Sequence, residues 1–186
     1  MTNFPVHTLD SAPEPSRQAL HSLQAAFGMI PNIAGAMATS PVLINSLVGI
    51  FGNVHGGSFT EPQIQTVLLT DAVVNACTWA VAFHTALALN AGLKSADAQA
   101  IREGRLPEDG KLAALSALAR KMIETRGKVA DPDVDRFIAA GFAKEHALEV
   151  IAIVAASTIT NYTGSVTKTP LEAAFQEHAW AGPLSE

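Results

Sequence analysis

The stretch that decides the fold begins Thr60-Glu61-Pro62-Gln63-Ile64-Gln65. It continues through an apolar run and Asn75-Ala76-Cys77-Thr78-Trp79-Ala80-Val81-Ala82-Phe83-His84, and closes at Ala91-Gly92-Leu93. Thr60 followed three residues later by Gln63 reads as a capping box, which opens a helix. Gly92 suits the left-handed residue past a helix end. The apolar part, Thr66 to Leu93, is long enough to cross a bilayer, but it carries Asp71, Asn75 and His84. Each of these is costly in hydrocarbon, so the run is expected to lie buried in protein.

The chain around this stretch is punctuated in the same way. Ser16 to Phe27 carries Leu20, Leu23 and Phe27 at helical spacing, with Gly28 after it and Pro31 barring continuation. Ser40-Pro41 is a cap and first-turn proline ahead of Val42, Leu43, Leu47, Ile50 and Phe51. Ser95 to Glu103 is a short helix closed by Gly104. Asp109 to Arg126 is amphipathic through Leu112, Leu115, Leu118 and Met122, with Lys111, Arg120, Lys121 and Glu124 on its solvated face. Asp131-Pro132 opens a helix closed by Gly141. Glu145 to Thr160 is apolar nearly all round, which predicts a central position or a subunit interface. A last segment, Pro170 to Trp180, carries Leu171, Phe175 and Trp180.

With 186 residues the chain fills one domain at roughly 100–200 residues each. Residues 1–15, with three prolines and no periodic pattern, read as an extended arm, and 16–186 as the domain. Apolar residues at 48% and aromatics at only 6%, with alanine throughout, favour an all-α fold of close-packed helices. A net charge of −5 argues against nucleic acid, because phosphate contacts need a basic surface. The single cysteine, Cys77, excludes an intrachain disulfide framework and a zinc site of several thiolates. The six histidines, His7, His21, His55, His84, His146 and His178, show no metal-ligand spacing, and no phosphate loop or other cofactor motif is present. No metal, cofactor, membrane or nucleic-acid partner is expected. The amino terminus lacks a basic region followed by an apolar one, so the cytoplasm is the expected compartment.

The segment from Phe59 to Leu93 resembles the carboxymuconolactone decarboxylase family, and more closely its alkyl hydroperoxidase (AhpD-like) branch. That branch has a Glu, then twelve residues later Cys-x-x-Cys preceded by Asn-x, then a His four beyond the second Cys. Asn75, Cys77 and His84 occupy that frame without a gap, but its Glu position is Gln65 and its second Cys position is Ala80. Phe27-Gly28-Met29-Ile30-Pro31-Asn32, Ser40-Pro41, Ala113-Ala114-Leu115, Ala139-Ala140-Gly141-Phe142 and Asn161-Tyr162 resemble other elements of the branch, so the likeness covers residues 16 to 176. It implies an AhpD-like helical domain of about seven to nine helices. It also implies a homo-oligomer, a trimer or hexamer, acting on a small molecule, with an external thiol as reductant.

The resemblance places Cys77, His84 and Gln65 in a catalytic set, with Asn75, Trp79, Ala80 and Phe83 around the substrate. Peroxide reduction needs a thiolate to be oxidised and a second thiol to resolve the sulfenic acid, and this chain supplies one thiol. Cys77 and His84 stand about 10 Å apart along a helix, too far for a direct hydrogen bond. One unbroken helix would also hold Gln65 roughly 18 Å from Cys77, whereas the resemblance joins them in one site. It therefore implies a break near Asp71 to Asn75, with Asn75 or Asp71 capping a second helix, Gln65 folding back toward His84 and Cys77 in a helix first turn. Three functions therefore stay open. One is a hydroperoxidase with a one-cysteine site. Another is a non-redox decarboxylase- or isomerase-like enzyme in which His84 moves a proton, oriented by Gln65, on a lactone or enol-type substrate. The third is a non-catalytic oligomeric member of the fold.

Overall fold

A computed structural model describes residues 4–182; the outermost residues of the expected arm and of the expected domain, 1–3 and 183–186, lie outside it. Among the described residues there are nine α-helices and no strand. They are α1 (Glu14–Phe27), α2 (Asn32–Met37), α3 (Pro41–His55), α4 (Glu61–Val74), α5 (Thr78–Asn90), α6 (Ser95–Arg102), α7 (Gly110–Glu124), α8 (Asp131–Ala139) and α9 (Lys144–Thr167). A 3₁₀ turn at Ala173–His178 follows. The all-α expectation holds.

Helix starts follow the caps in the sequence. Ser40 accepts from the Leu43 N–H at 3.3 Å, Asp109 from those of Lys111 and Leu112 at 2.9 Å each, and the Gln63 side chain reaches back to the Thr60 N–H at 2.9 Å. These bonds satisfy donors that a helix N-terminus otherwise leaves unpaired.

The predicted break between α4 and α5 is present, but neither Asn75 nor Asp71 caps the second helix. Asn75 ends α4, its side chain donating to the Asp71 carbonyl at 2.9 Å, and Cys77 is the residue that opens α5. Ala76 between them takes the left-handed conformation, φ +51°. The Ala76 N–H bonds the Val73 carbonyl and the Cys77 N–H bonds that of Ala72, both at 3.0 Å, which is the Schellman pattern. The chain thus reverses over three residues, and α4 and α5 lie side by side as a hairpin.

The hairpin forms the centre. From Ile64 to Val73 every residue of α4 is buried, which explains the absence of a polar stripe. Leu69, Ala72 and Val73 pack with Leu20, Met37, Ile44, Val81 and Ile101 of α1, α2, α3, α5 and α6. Ile64, Val67 and Leu68 pack with Leu115, Leu118, Phe137 and Ile153 of α7, α8 and α9. Helix α4 takes the central position, which was one of the two places expected for residues 145–160. Helix α9 buries one face and leaves Leu148, Ile151, Tyr162 and Val166 exposed. By length and composition it is the one described helix apolar enough to cross a membrane, yet 44% of its apolar stretch is buried inside the protein. It also runs on to Thr167, past the expected end at Thr160, and α2 was not foreseen.

Candidate functional site

The hairpin brings positions 65 and 84, nearly symmetric about the reversal, face to face. The Gln65 Oε1 lies 3.0 Å from His84 Nδ1 and accepts its proton. The Gln65 Nε2 donates to Glu61 Oε1 at 2.7 Å, and the other oxygen of Glu61 meets His55 Nδ1 at 3.0 Å. A hydrogen-bonded chain of four side chains therefore runs His84, Gln65, Glu61, His55, from the buried interior to the half-exposed end of α3. His84 is 3% exposed and Gln65 2%.

These four residues edge a cavity of about 640 Å³ between α1, α3 and the hairpin. Its walls are mostly apolar, aliphatic side chains such as Leu23, Leu47 and Leu68 standing beside the aromatic rings of Phe27, Phe51, Trp79 and Phe83. Trp79 stacks on Phe83 with centroids 4.7 Å apart, while Phe27 and His84 each meet Phe83 edge-on at 5.4 Å. Trp79 is held by its indole N–H, which donates to Glu172 Oε2 at 2.9 Å, and the other oxygen of Glu172 accepts from the Asn32 N–H. Glu61 is the only Asp, Glu, Lys or Arg among the lining residues. Clefts of about 710 and 980 Å³ lie over α7 to α9, but neither is lined by Cys77, His84 or Gln65.

Burial decides the state of His84. With no compensating anion in direct contact, desolvation pushes its pKa down to about 3, and the nearby His55 adds to the effect. The imidazole is neutral. Its Nδ1 proton is engaged by Gln65, so Nε2 carries a free lone pair. That nitrogen has no partner among the described residues, is not among the sealed-off polar atoms, and belongs to a cavity-lining residue. The site can therefore accept a hydrogen bond inside an apolar enclosure, and a proton only in passing, from a donor that stays bound beside it.

Solved structures with the same arrangement of helices identify the architecture. An uncharacterized peroxidase-related protein from Ralstonia eutropha JMP134, described as an alkylhydroperoxidase AhpD core, is 20% identical over 93% of each chain, with a TM-score of 0.82. The chain has the AhpD-like fold. A peroxidase-related protein from Silicibacter sp. TM1040 shares it at 18% identity, over 94% of this chain and 95% of the other, TM-score 0.74. So does the debrominase Bmp8, at 15% identity over 96% of each chain and TM-score 0.80, solved as a cysteine-to-alanine variant in complex with 2,3,4-tribromopyrrole. No protein-family profile and no curated protein matches the sequence.

Within this AhpD-like framework the expected site residues separate into two groups. Gln65, His84, Trp79 and Phe83 meet at the cavity. Cys77, Ala80 and Asn75 do not. Cys77 opens α5 but is 3% exposed and does not line the cavity. Its sulfur packs against α9 so closely that a Cβ on Gly164 would stand 2.8 Å from it. Burial pushes its thiol pKa up, against the opposing pull of the backbone N–H groups of Ala80 and Trp79. Ala80 is fully buried, and Asn75 borders the larger cleft on the α9 side. Among the described residues no three His, Cys, Asp or Glu side chains gather as a metal's ligands.

Sequence reasoning missed His55, Glu61 and Glu172. Glu61 carried a signal, since it lies four residues before Gln65 and so on the same helix face. Its place in the opening turn of α4 masked this second role. His55 and Glu172 reach the site only through tertiary packing.

Proposed function

We propose that the chain is an acid–base enzyme that relocates a proton on a small, uncharged, ring-bearing molecule held in the 640 Å³ cavity, with His84 Nε2 as the group that takes and returns the proton. The observation that carries this reading is the His84 to Gln65 contact, which leaves a bare, neutral imidazole nitrogen in an aromatic-lined enclosure. The aromatic walls fit a flat apolar ring. The absence of any lysine or arginine among the lining residues, and the carboxylate of Glu61 at the edge, fit an uncharged ligand better than a carboxylate. Decarboxylation, whose substrate is an anion, is therefore the poorer fit. An isolated imidazolium is disfavoured in this site, so a proton accepted at Nε2 is best handed back to another atom of the same substrate in the same turnover. That describes an enol–keto or ring isomerisation. The debrominase of the same fold was solved with a halogenated pyrrole, a flat ring of the same chemical kind.

Peroxide reduction is the weaker alternative, because the one sulfur is sealed away from the cavity and burial opposes its thiolate. The test is proton exchange from D₂O into a panel of small cyclic enols, enol lactones and phenols, followed by NMR. Exchange should persist in Cys77→Ser and fall at least about 100-fold in His84→Ala, the usual scale of one acid–base group. Consumption of an organic hydroperoxide by the wild type, abolished by Cys77→Ser and accompanied by oxidation of Cys77, would overturn it.

A further inference from the structure

We propose that Glu61 is a positioning residue that decides which nitrogen of His84 carries the proton, acting through the amide of Gln65. This rests on the reading of His84 as the proton-accepting group, and it explains how a glutamine can serve there. A primary amide presents an acceptor at one end and a donor at the other, and a neutral imidazole does the same at its two nitrogens. Taken alone, the Gln65–His84 pair is degenerate. With Gln65 Oε1 toward His84, Nδ1 holds the proton and Nε2 is bare; with the amide reversed, Nδ1 is bare and Nε2 presents an N–H to the cavity. Both arrangements make one hydrogen bond, and they offer a ligand opposite chemistry.

The third residue in the chain breaks the tie. A carboxylate only accepts, so Glu61 Oε1, 2.7 Å from Gln65, selects the end of the amide that donates. That turns Gln65 Oε1 toward His84 Nδ1 at 3.0 Å and leaves Nε2 with its lone pair. His55 Nδ1, 3.0 Å from the other oxygen, holds Glu61 from the far side, so both carboxylate oxygens face donors. Reversing the amide would set Gln65 Oε1 against a carboxylate oxygen, two acceptors in contact. A charge at the half-exposed rim of the cavity thus fixes the tautomer of an imidazole buried two side chains away.

The experiment reads the tautomer directly, without substrate. In protein labelled with ¹⁵N-histidine, two-bond proton–nitrogen correlations distinguish a ring protonated at Nδ1 from one protonated at Nε2. Wild-type His84 should show a single Nδ1–H tautomer. Glu61→Gln replaces the acceptor-only group with another two-ended amide, and both tautomers should then be populated, with the nitrogen shifts moving toward each other. The double variant Glu61→Gln with Gln65→Glu sets a carboxylate directly against His84 Nδ1–H and should restore the single tautomer. Glu61 is half-exposed, and an unchanged backbone amide spectrum would establish that the variants fold; His55→Ala, which loosens Glu61 without touching Gln65, should give a smaller shift in the same direction. An Nε2–H tautomer in the wild type, or a pure Nδ1–H tautomer in Glu61→Gln, would overturn the proposal. If the tautomer pattern holds and no substrate of the panel exchanges, the role of Glu61 stands and the enzymatic reading fails.

Discussion

At the scale of single residues, two buried ionisable groups oppose each other in their effect on stability. His84 is neutral in the fold, with its pKa pushed down to about 3 from an ordinary 6.5. The unfolded chain takes up its proton first, so this contribution is fully present above pH 6.5 and is withdrawn as the pH falls toward 3. At 1.36 kcal/mol per unit the withdrawal reaches about 5 kcal/mol. Asp71 behaves in the reverse sense. It is fully buried on α4, and desolvation raises its pKa well above the usual carboxylate range despite the nearby Ser157. Among the described residues neither of its oxygens finds a hydrogen bond of ordinary geometry, and the same holds for the Oδ1 of buried Asn161. Its folded form prefers the proton, so stability is fully present below pH 3.8 and declines as the pH rises through the folded value. Between pH 3.8 and 6.5 the two effects run against each other and offset. In urea unfolding across a pH series, His84→Leu should remove the loss on the acid side and expose a fall in stability that begins as the pH rises past 3.8. Asp71→Asn, which removes the charge at nearly constant volume, should raise stability at pH 7 and expose the full decline below pH 6.5 that His84 causes. A loss of stability at pH 7 in Asp71→Asn would show that the carboxyl is satisfied and ionised. Neither buried state is legible in the sequence, where Asp71 offered itself as a helix cap. The difference is made by α9, which closes over the side chain through contacts that a local pattern does not contain.

The decisive element is the α4–α5 hairpin, and its reversal is held by an alanine where a glycine is the usual choice. Equivalent endings after α5 and α6 use Gly92 and Gly104, at φ +93° and +75°. At Ala76 the Cβ crowds the following carbonyl, at about 1 kcal/mol for a residue in the left-handed region. Ala76→Gly should remove that crowding and raise stability by up to about 1 kcal/mol, less the entropy that glycine adds to the unfolded chain, with the Gln65–His84 contact kept. A loss of more than about 1 kcal/mol in chemical denaturation would mean that the Ala76 methyl packs usefully. The same alanine explains what could be read and what could not. The start of α4 and the end of α5 were legible because Thr60, Gln63 and Gly92 are specific signals. The break between them was foreseen because one straight helix separates residues that the motif frame joins. Its position was displaced because alanine gives no sign of a left-handed turn. Helix α9 outran its expected end for a related reason. Thr158, Thr163 and Thr167 are weak helix formers by propensity, yet each hydroxyl bonds a carbonyl one turn back, at 2.7 to 2.8 Å, and continues the helix with its polar group satisfied.

For the whole molecule, the apolar surface that the core does not use lies along α9. Leu148, Ile151, Ala155, Tyr162 and Val166 recur at helical spacing on one side, with Leu148 69% and Val166 66% exposed. This stripe borders the cleft of about 980 Å³ to which α7 contributes Met122, α8 Ile138 and the connection between them Val129, so apolar side chains continue beyond the helix itself. Patches of this kind on a folded chain mark interaction surfaces, and a two-fold contact lets one stripe cover its own copy without a second complementary surface. We propose that the homo-oligomer implied by the motif resemblance, a trimer or hexamer, uses this stripe for one of its contacts. In light scattering after gel filtration, the wild type should exceed the 19.4 kDa monomer. Ile151→Glu, which sets a charge in the middle of the stripe, should shift it to monomer while the helical circular dichroism is unchanged. The cavity of His84 lies on the α1 and α3 side of the hairpin, so the monomeric variant should also keep the His84 tautomer of the wild type. A wild type that runs as monomer at tens of micromolar, or an Ile151→Glu variant that stays assembled, would assign the contact to another face. The separation is physical: α4, buried on every side, lies between a face that encloses a ligand-sized space and a face that presents apolar side chains, and each can be altered by one substitution without unpacking the other.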